Sequence, residues 1–104
     1  KNIKIKKGKN MKAPTTFKIG TTHSVAVGAS TAESTAVDAN TREVRIVATV
    51  DSYVEISSAP TATSASFILP AYTVEYFRVA GSDKVACLRV GSVTGTARIS
   101  ELSQ

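Results

Sequence analysis

The chain has 104 residues, of which 42% are hydrophobic and 20% are charged, so it has room for one domain with a modest core. This composition excludes a disordered or collagen-like chain, and no apolar run approaches the roughly 20 residues of a membrane-spanning helix. A single cysteine and a single histidine exclude an intrachain disulfide framework and most metal or nucleophile–base sites. We therefore expect a non-enzymatic binding or structural domain with no cofactor, no metal and no membrane association.

The net charge of +5 is concentrated at the N terminus. Residues 1–12 contain six lysines and no acid, whereas residues 13–104 contain seven basic and eight acidic residues. Residues 1–14 are predicted to form an extended basic arm, and residues 15–104 a single β-sandwich domain. An apolar stretch of signal-peptide length does not follow the lysines, which argues against a secretory signal.

The arm combines charge with a short alternating pattern, because isoleucines at positions 3 and 5 alternate with lysines. This period of two favours a strand that lies on a partner surface, either nucleic acid or an acidic protein. A solvated tail that aids solubility is the alternative. The predicted partner-binding residues of the arm are Lys1, Ile3, Lys4, Ile5, Lys6, Lys7, Lys9 and Lys12.

The first part of the domain has few regular patterns. Residues 15–19 and 23–28 are weak strand candidates, and residues 29–39 are rich in alanine but also in Ser and Thr, which disfavour a helix. Residues 43–50 alternate clearly, and Asp51-Ser52 supplies a turn before residues 53–57. The stretch 43–57 is therefore predicted to be a hairpin.

Further strands follow at regular intervals. After a loop over residues 58–66, strands are predicted at 67–69, 73–79, 84–90 and 96–102, separated by Pro70 and by turns at 81–83 and 91–95. Strands spaced by about 8–14 residues and bounded by turn residues are typical of sandwiches and barrels. The predicted fold is all-β, an antiparallel β-sandwich or jelly-roll-like barrel of roughly eight strands.

Some of these strands are apolar on both faces, notably 73–79 and 84–90. A small antiparallel domain with one solvated face should alternate more cleanly. Either these strands are covered inside the domain, or an outer face packs on another subunit. Tyr76, Phe77 and Arg78 are the predicted interface residues of the domain.

Residues that could support catalysis are few and scattered. His23 lies beside a strand with no carboxylate near it in sequence, so a structural role is expected. Cys87 lies in mid-strand, where a buried and inert thiol is expected. The eight acids are dispersed, mostly at turns or presumed outer faces, and Asp51 and Asp83 are explained as turn residues. No catalytic or metal-binding residue is predicted.

Residues 42–102 resemble small virion proteins of tailed bacteriophages. The resemblance rests on the segments 44–49 (VRIVAT), 60–63 (PTAT), 69–71 (LPA), 73–79 (TVEYFRV), 84–86 (KVA) and 95–101 (GTARISE). It implies an all-β accessory structural protein such as a capsid decoration, or cement, protein. It carries no catalytic motif, so it assigns no functional residue.

Together these observations predict a virion protein on the capsid surface that binds the major capsid protein and neighbouring copies of itself. Binding only to the assembled shell would stabilise the shell by mass action. The alternatives are a head-to-tail joining or tail component, and a carbohydrate- or host-surface-binding β-sandwich module. Nucleic acid is expected only as a non-specific partner of the arm, because the rest of the chain is slightly acidic and poor in aromatic residues.

Overall fold

A computed structural model describes residues 17–103, which form eight strands and no helix. The all-β prediction is confirmed, while the predicted arm, with its lysines and isoleucines, lies outside the described residues. The strands are β1 (Lys18–Val27), β2 (Ala32–Glu33), β3 (Glu43–Ala48), β4 (Ser52–Ser57), β5 (Phe67–Leu69), β6 (Glu75–Arg78), β7 (Lys84–Arg89) and β8 (Gly95–Ser103).

The strands form two antiparallel sheets of four strands each. Sheet A has the order β1-β8-β3-β6, and sheet B has the order β2-β7-β4-β5. The first four strands thus pair with the last four in reverse order, β1 with β8, β2 with β7, β3 with β6 and β4 with β5. The chain is thus folded back on itself as two antiparallel halves, and these are wrapped into two sheets, which is the jelly-roll topology.

The predicted hairpin over residues 43–57 is wrong, although both of its strands exist. β3 lies in sheet A and pairs with β6 and β8, whereas β4 lies in sheet B and pairs with β5 and β7. The corner between them crosses from one sheet to the other. Its backbone bonds to the start of β8, since the Thr49 amide donates to the Thr96 carbonyl at 3.0 Å. Ala48 and Ser52 are buried on either side of the corner, which keeps the chain at the edge of the core.

The two weak strand candidates near the N terminus are a single strand. β1 runs without a break from Lys18 to Val27 along β8, and its register shifts between Ile19 and Thr22. Only the second half of β1 contributes Val25 and Val27 to the core. The first half extends past the core and is exposed, which explains why its sequence shows no clean alternation.

The core lies between the sheets and is built from alternate residues. In β3 the residues Val44, Ile46 and Ala48 are buried, and the residues between them face outward. Burying such an aliphatic side chain contributes about 1.5–3 kcal/mol relative to leaving it exposed. The other buried core residues are Val25, Val27, Val37, Val54, Leu69, Val79, Val85, Cys87, Ala97 and Ile99.

The chain itself covers the outer face of β7. Ala86 lies opposite the exposed Glu55 on β4, on the side away from the core, yet it has no exposed surface. The loop after β4 explains this, because its Pro60 and Ala62 are buried and the Ala62 amide donates to Thr31 Oγ1 at 2.9 Å. The loop therefore crosses sheet B from β4 towards β2. The second apolar face of this strand is thus an internal one.

Candidate functional site

A buried polar network joins β1 to β8. Nε2 of His23 and Oε2 of Glu101 lie 2.6 Å apart, and both side chains are less than a tenth exposed. The two residues are 78 positions apart in the chain, so the pair is formed only by the pairing of the first strand with the last. Glu101 departs from the expectation that the acids lie mostly at turns or on outer faces, because it is buried and its side chain points into the sandwich.

Glu101 has further hydrogen-bond partners in the segment between β2 and β3. Its Oε1 accepts from Thr41 Oγ1 at 2.6 Å and from the Asp38 amide at 3.0 Å. Burial disfavours the charged carboxylate, but the hydrogen bonds from Thr41, Asp38 and His23 outweigh it. The pKa of Glu101 therefore lies below its usual value.

The network closes one side of the sandwich. Residues 34–41 run along β7, where the Val37 amide donates to the Asp83 carbonyl at 2.8 Å, and Glu101 fastens the end of this segment to sheet A. The bonds to Thr41 and Asp38 thus connect the segment before β3 to sheet A, while the bond to His23 joins β1 and β8 within sheet A. This role accounts for the burial of both side chains, and the hydrogen bonds of His23 are consistent with a structural function.

A hydroxyl, an imidazole and a carboxylate contact one another here in the order that nucleophilic catalysis uses. Thr35 Oγ1 lies 3.1 Å from His23 Nδ1, and His23 Nε2 contacts the Glu101 carboxylate. Such catalysis also requires a substrate cavity beside the hydroxyl. The described chain has surface cavities of about 330, 280 and 290 Å³, and none of these three is lined by a member of this network.

The remaining candidate groups are buried or dispersed. Cys87 is fully buried as expected, and burial raises the pKa of its thiol to about 12. Within residues 17–103 no group of three or more His, Cys, Asp or Glu residues is placed to hold a metal ion. The same stretch contains no helix of the length and hydropathy needed to cross a membrane.

The opposite side of the sandwich is apolar and open. We call it the apolar side and define it by Phe67 and Ile68 of β5 and Phe77 of β6. These strands are the edges of the two sheets, so their outer backbone groups have no neighbouring strand within the described domain. Phe67 and Ile68 are each about half exposed, at 49% and 52%.

Two aromatic rings bridge the open edges. The rings of Phe67 and Phe77 meet edge to face, with centroids 5.4 Å apart and planes at 85°. A shallow cavity of about 290 Å³ lies beside them, lined also by Val54, Ile56 and Arg78. The aromatic pair joins the sheets here but leaves apolar surface in contact with water.

The three predicted interface residues are placed together on β6 but point to different surfaces. Phe77 lies opposite the buried Val44 and packs towards the core, whereas Tyr76 and Arg78 lie on the outer face of sheet A. The contribution of β5 to this side was not predicted, because residues 67–69 were predicted only as a short apolar strand.

The fold and these surfaces define an eight-stranded jelly-roll domain with one side closed by a polar network and the other side open and apolar. Comparison of the chain with protein-family models, curated proteins and solved structures finds no match in any of the three.

Proposed function

We propose that the protein is a non-enzymatic structural component of a tailed-phage virion, a decoration protein that binds the outer capsid surface and neighbouring copies of itself. The observation that carries the proposal is the apolar side, where two unpaired strand edges and exposed apolar residues coincide. Exposed apolar surface at open edges favours association with another protein. The resemblance of residues 42–102 to phage virion proteins supplies the setting, and the jelly roll is a fold that viral capsid proteins use.

The first test is to sediment particles from the source that encodes the protein and to quantify the proteins of the particle fraction by mass spectrometry. A copy number close to that of the major shell protein supports decoration. A copy number of one small ring would instead place the protein at the head-to-tail joint or in the tail. Absence from the particles would overturn the virion proposal.

A second test addresses self-association through the apolar side. Ile68→Lys places a charge on the exposed edge strand β5, and Val93→Lys is the matched control because Val93 is 66% exposed in the loop between β7 and β8. We expect sedimentation velocity to show weaker association for Ile68→Lys only. Equal behaviour of both variants would remove the apolar side from the proposal.

One observation favours a carbohydrate- or host-surface-binding module as the second candidate. Tyr72 is 75% exposed and has a φ of 58°, a left-handed conformation that costs a non-glycine residue energy. The preceding Ala71 lines a cavity of about 280 Å³ together with Asp51 and Val93. An exposed aromatic ring next in sequence to a cavity-lining residue is a candidate platform for a sugar ring, and the Ala71 amide donates to the Asp51 carboxylate at 2.8 Å. Binding on a glycan array that Tyr72→Ala abolishes would support this candidate, and an array without signal would refute it.

A further inference from the structure

The outer face of sheet A carries a diagonal row of arginines. Strand register defines this face, because Val44 and Ile46 of β3 point into the core and Arg45 points away from it. Arg98 on β8 lies opposite Val47, which is on the same face, and Arg78 on β6 lies opposite Glu43. We call Arg98, Arg45 and Arg78 the arginine stripe.

The three charges of the stripe are close together, and none of them forms a salt bridge with another described residue. Arg45 is the diagonal neighbour of both other arginines, a relation that places residues about 7–8 Å apart. This separation is shorter than the screening length of about 10 Å at 0.1 M salt, so the charges repel one another. The ion pairs recorded within residues 17–103 are His23–Glu101 and Lys84–Glu33, and neither involves the stripe. An anionic partner would relieve this repulsion.

The basic arm begins beside the same face. Phe17, the first described residue, lines a cavity of about 330 Å³ together with Arg78, Glu43 and Leu102. Residues 1–16 therefore join the domain next to one end of the stripe. The lysines of the arm and the stripe can therefore engage one surface together, which raises the effective concentration of each for that surface.

The composition of the face favours a protein partner over nucleic acid. Glu43 lies among the arginines, and its carboxylate would repel phosphates. An acidic protein surface also offers hydrogen-bond donors, from which the Glu43 carboxylate can accept. Tyr76 is opposite Arg45 and is 55% exposed, and tyrosine and arginine are the residues enriched in protein interfaces. The chain from residue 13 onward has one more acid than base, unlike the strongly positive surfaces that bind nucleic acid.

We infer that the outer face of sheet A, through the arginine stripe and Tyr76, binds an acidic protein surface. The inference rests on the proposed function for the identity of that surface, which is then the capsid shell. The apolar side remains free for neighbouring copies, because Phe67 and Phe77 lie between the sheets and not on this outer face.

The test uses the full chain and two fluorescent probes of equal charge, an oligo-glutamate peptide and a thymidine oligonucleotide. The stripe variant changes three arginines to glutamine, and the control variant removes three positive charges elsewhere, so both have the same net charge. The stripe variant is Arg45→Gln, Arg78→Gln and Arg98→Gln. The control variant is Lys18→Gln, Lys84→Gln and Arg89→Gln.

Fluorescence anisotropy at low salt should show oligo-glutamate binding that is about tenfold weaker for the stripe variant and within about twofold of wild type for the control. The difference should vanish near 1 M salt, where the screening length is about 3 Å. Equal losses in both variants would overturn the inference, because net charge or the arm would then account for binding. Tighter binding of the oligonucleotide than of the peptide by the wild-type protein would also overturn it.

Circular dichroism verifies that the variants fold. If the triple variant does not fold, Arg78→Gln with Arg98→Gln replaces it, because both side chains are exposed. Cosedimentation with capsids separates this inference from the proposed function. A stripe variant that cosediments as well as wild type refutes the inference alone. A wild-type protein that binds oligo-glutamate through the stripe but does not cosediment refutes the proposed function alone.

Discussion

Replacing Glu101 with glutamine removes the charge of the buried network and keeps its shape. The carboxylate accepts two short bonds of 2.6 Å, from Thr41 and His23, and one of 3.0 Å from the Asp38 amide. Glutamine can keep its oxygen towards Thr41 and Asp38. Its amide NH2 then faces the His23 ring nitrogen, which has to become an acceptor. The substitution thus converts three charge-assisted bonds into weaker neutral ones.

The expected cost follows from the strength of these bonds. A hydrogen bond to a charged group contributes about 1.5–3 kcal/mol net, against about 0.5–1.5 kcal/mol for a neutral one. Part of this loss in hydrogen-bond free energy is offset, because a neutral side chain costs less to bury than a charged one. We therefore expect Glu101→Gln to lower the free energy of unfolding by about 1–3 kcal/mol at neutral pH, measured by urea titration with circular dichroism.

The same variant should change the pH dependence of stability. Because the pKa of Glu101 is lower in the folded chain than its ordinary value of 4.5, the carboxylate stabilises the fold above that value. This stabilisation is lost as the pH falls through the lower, folded-state pKa. The difference between wild type and Glu101→Gln should therefore be widest near neutral pH and should close in acid, where a protonated glutamate resembles glutamine.

Glu55→Gln is the matched control. Glu55 also accepts a hydroxyl hydrogen bond of 2.6 Å, from Ser66, but the pair is exposed, so a loss below about 0.5 kcal/mol is expected. Equal losses for the two variants would show that burial of Glu101 is not the cause. A difference between wild type and Glu101→Gln that persists unchanged in acid would refute the assignment of an ionised carboxylate.

Three further changes test the packing. Gly81→Ala should cost about 1–3 kcal/mol, because its Cβ would overlap the Ala39 backbone. Gly91→Ala should leave the free energy of unfolding unchanged or raise it by up to about 1 kcal/mol, since no atom lies within 4 Å of the added Cβ. Ile46→Ala should cost about 2–5 kcal/mol by the same titration, because Ile46 is fully buried. The Cys87 thiol, with its pKa of about 12, should react with a thiol reagent at mildly alkaline pH only as the chain unfolds, and rapid labelling of the native protein would contradict its burial.

The sequence was sufficient to predict most of the strands, though not β2, and it did not predict their partners. Alternation over residues 43–50 and the proline after Leu69 are local signals, and both mark strands that the structure contains. Pairing depends on contacts between distant residues, and a tight turn such as Asp51-Ser52 suits a corner between sheets as well as a hairpin. Only β4 and β5 are consecutive strands that pair, and they are joined by a long loop without hairpin signals.

The buried network was beyond sequence reasoning for a related reason. His23 and Glu101 each look like an isolated polar residue, and only the closure of β1 on β8 brings them together. One local signal was available, because Glu101 lies between Ser100 and Leu102 in a strand whose alternate positions include Ala97 and Ile99. Those positions are buried, so strict alternation would have placed Glu101 inside as well, and a buried carboxylate requires a partner.

The two proposed surfaces meet at β6, and the geometry of this strand makes them separable. Successive residues of a strand point to opposite faces, so Phe77 belongs to the apolar side and Arg78 to the outer face of sheet A. Adjacent positions on one strand therefore report on different contacts. A substitution at Arg98 of the stripe should change the salt dependence of binding and leave self-association intact, whereas Ile68→Lys on β5 should do the reverse. A copy seated on the apolar side would leave the arginine stripe facing the shell, so a single domain can hold its neighbour and the capsid at once.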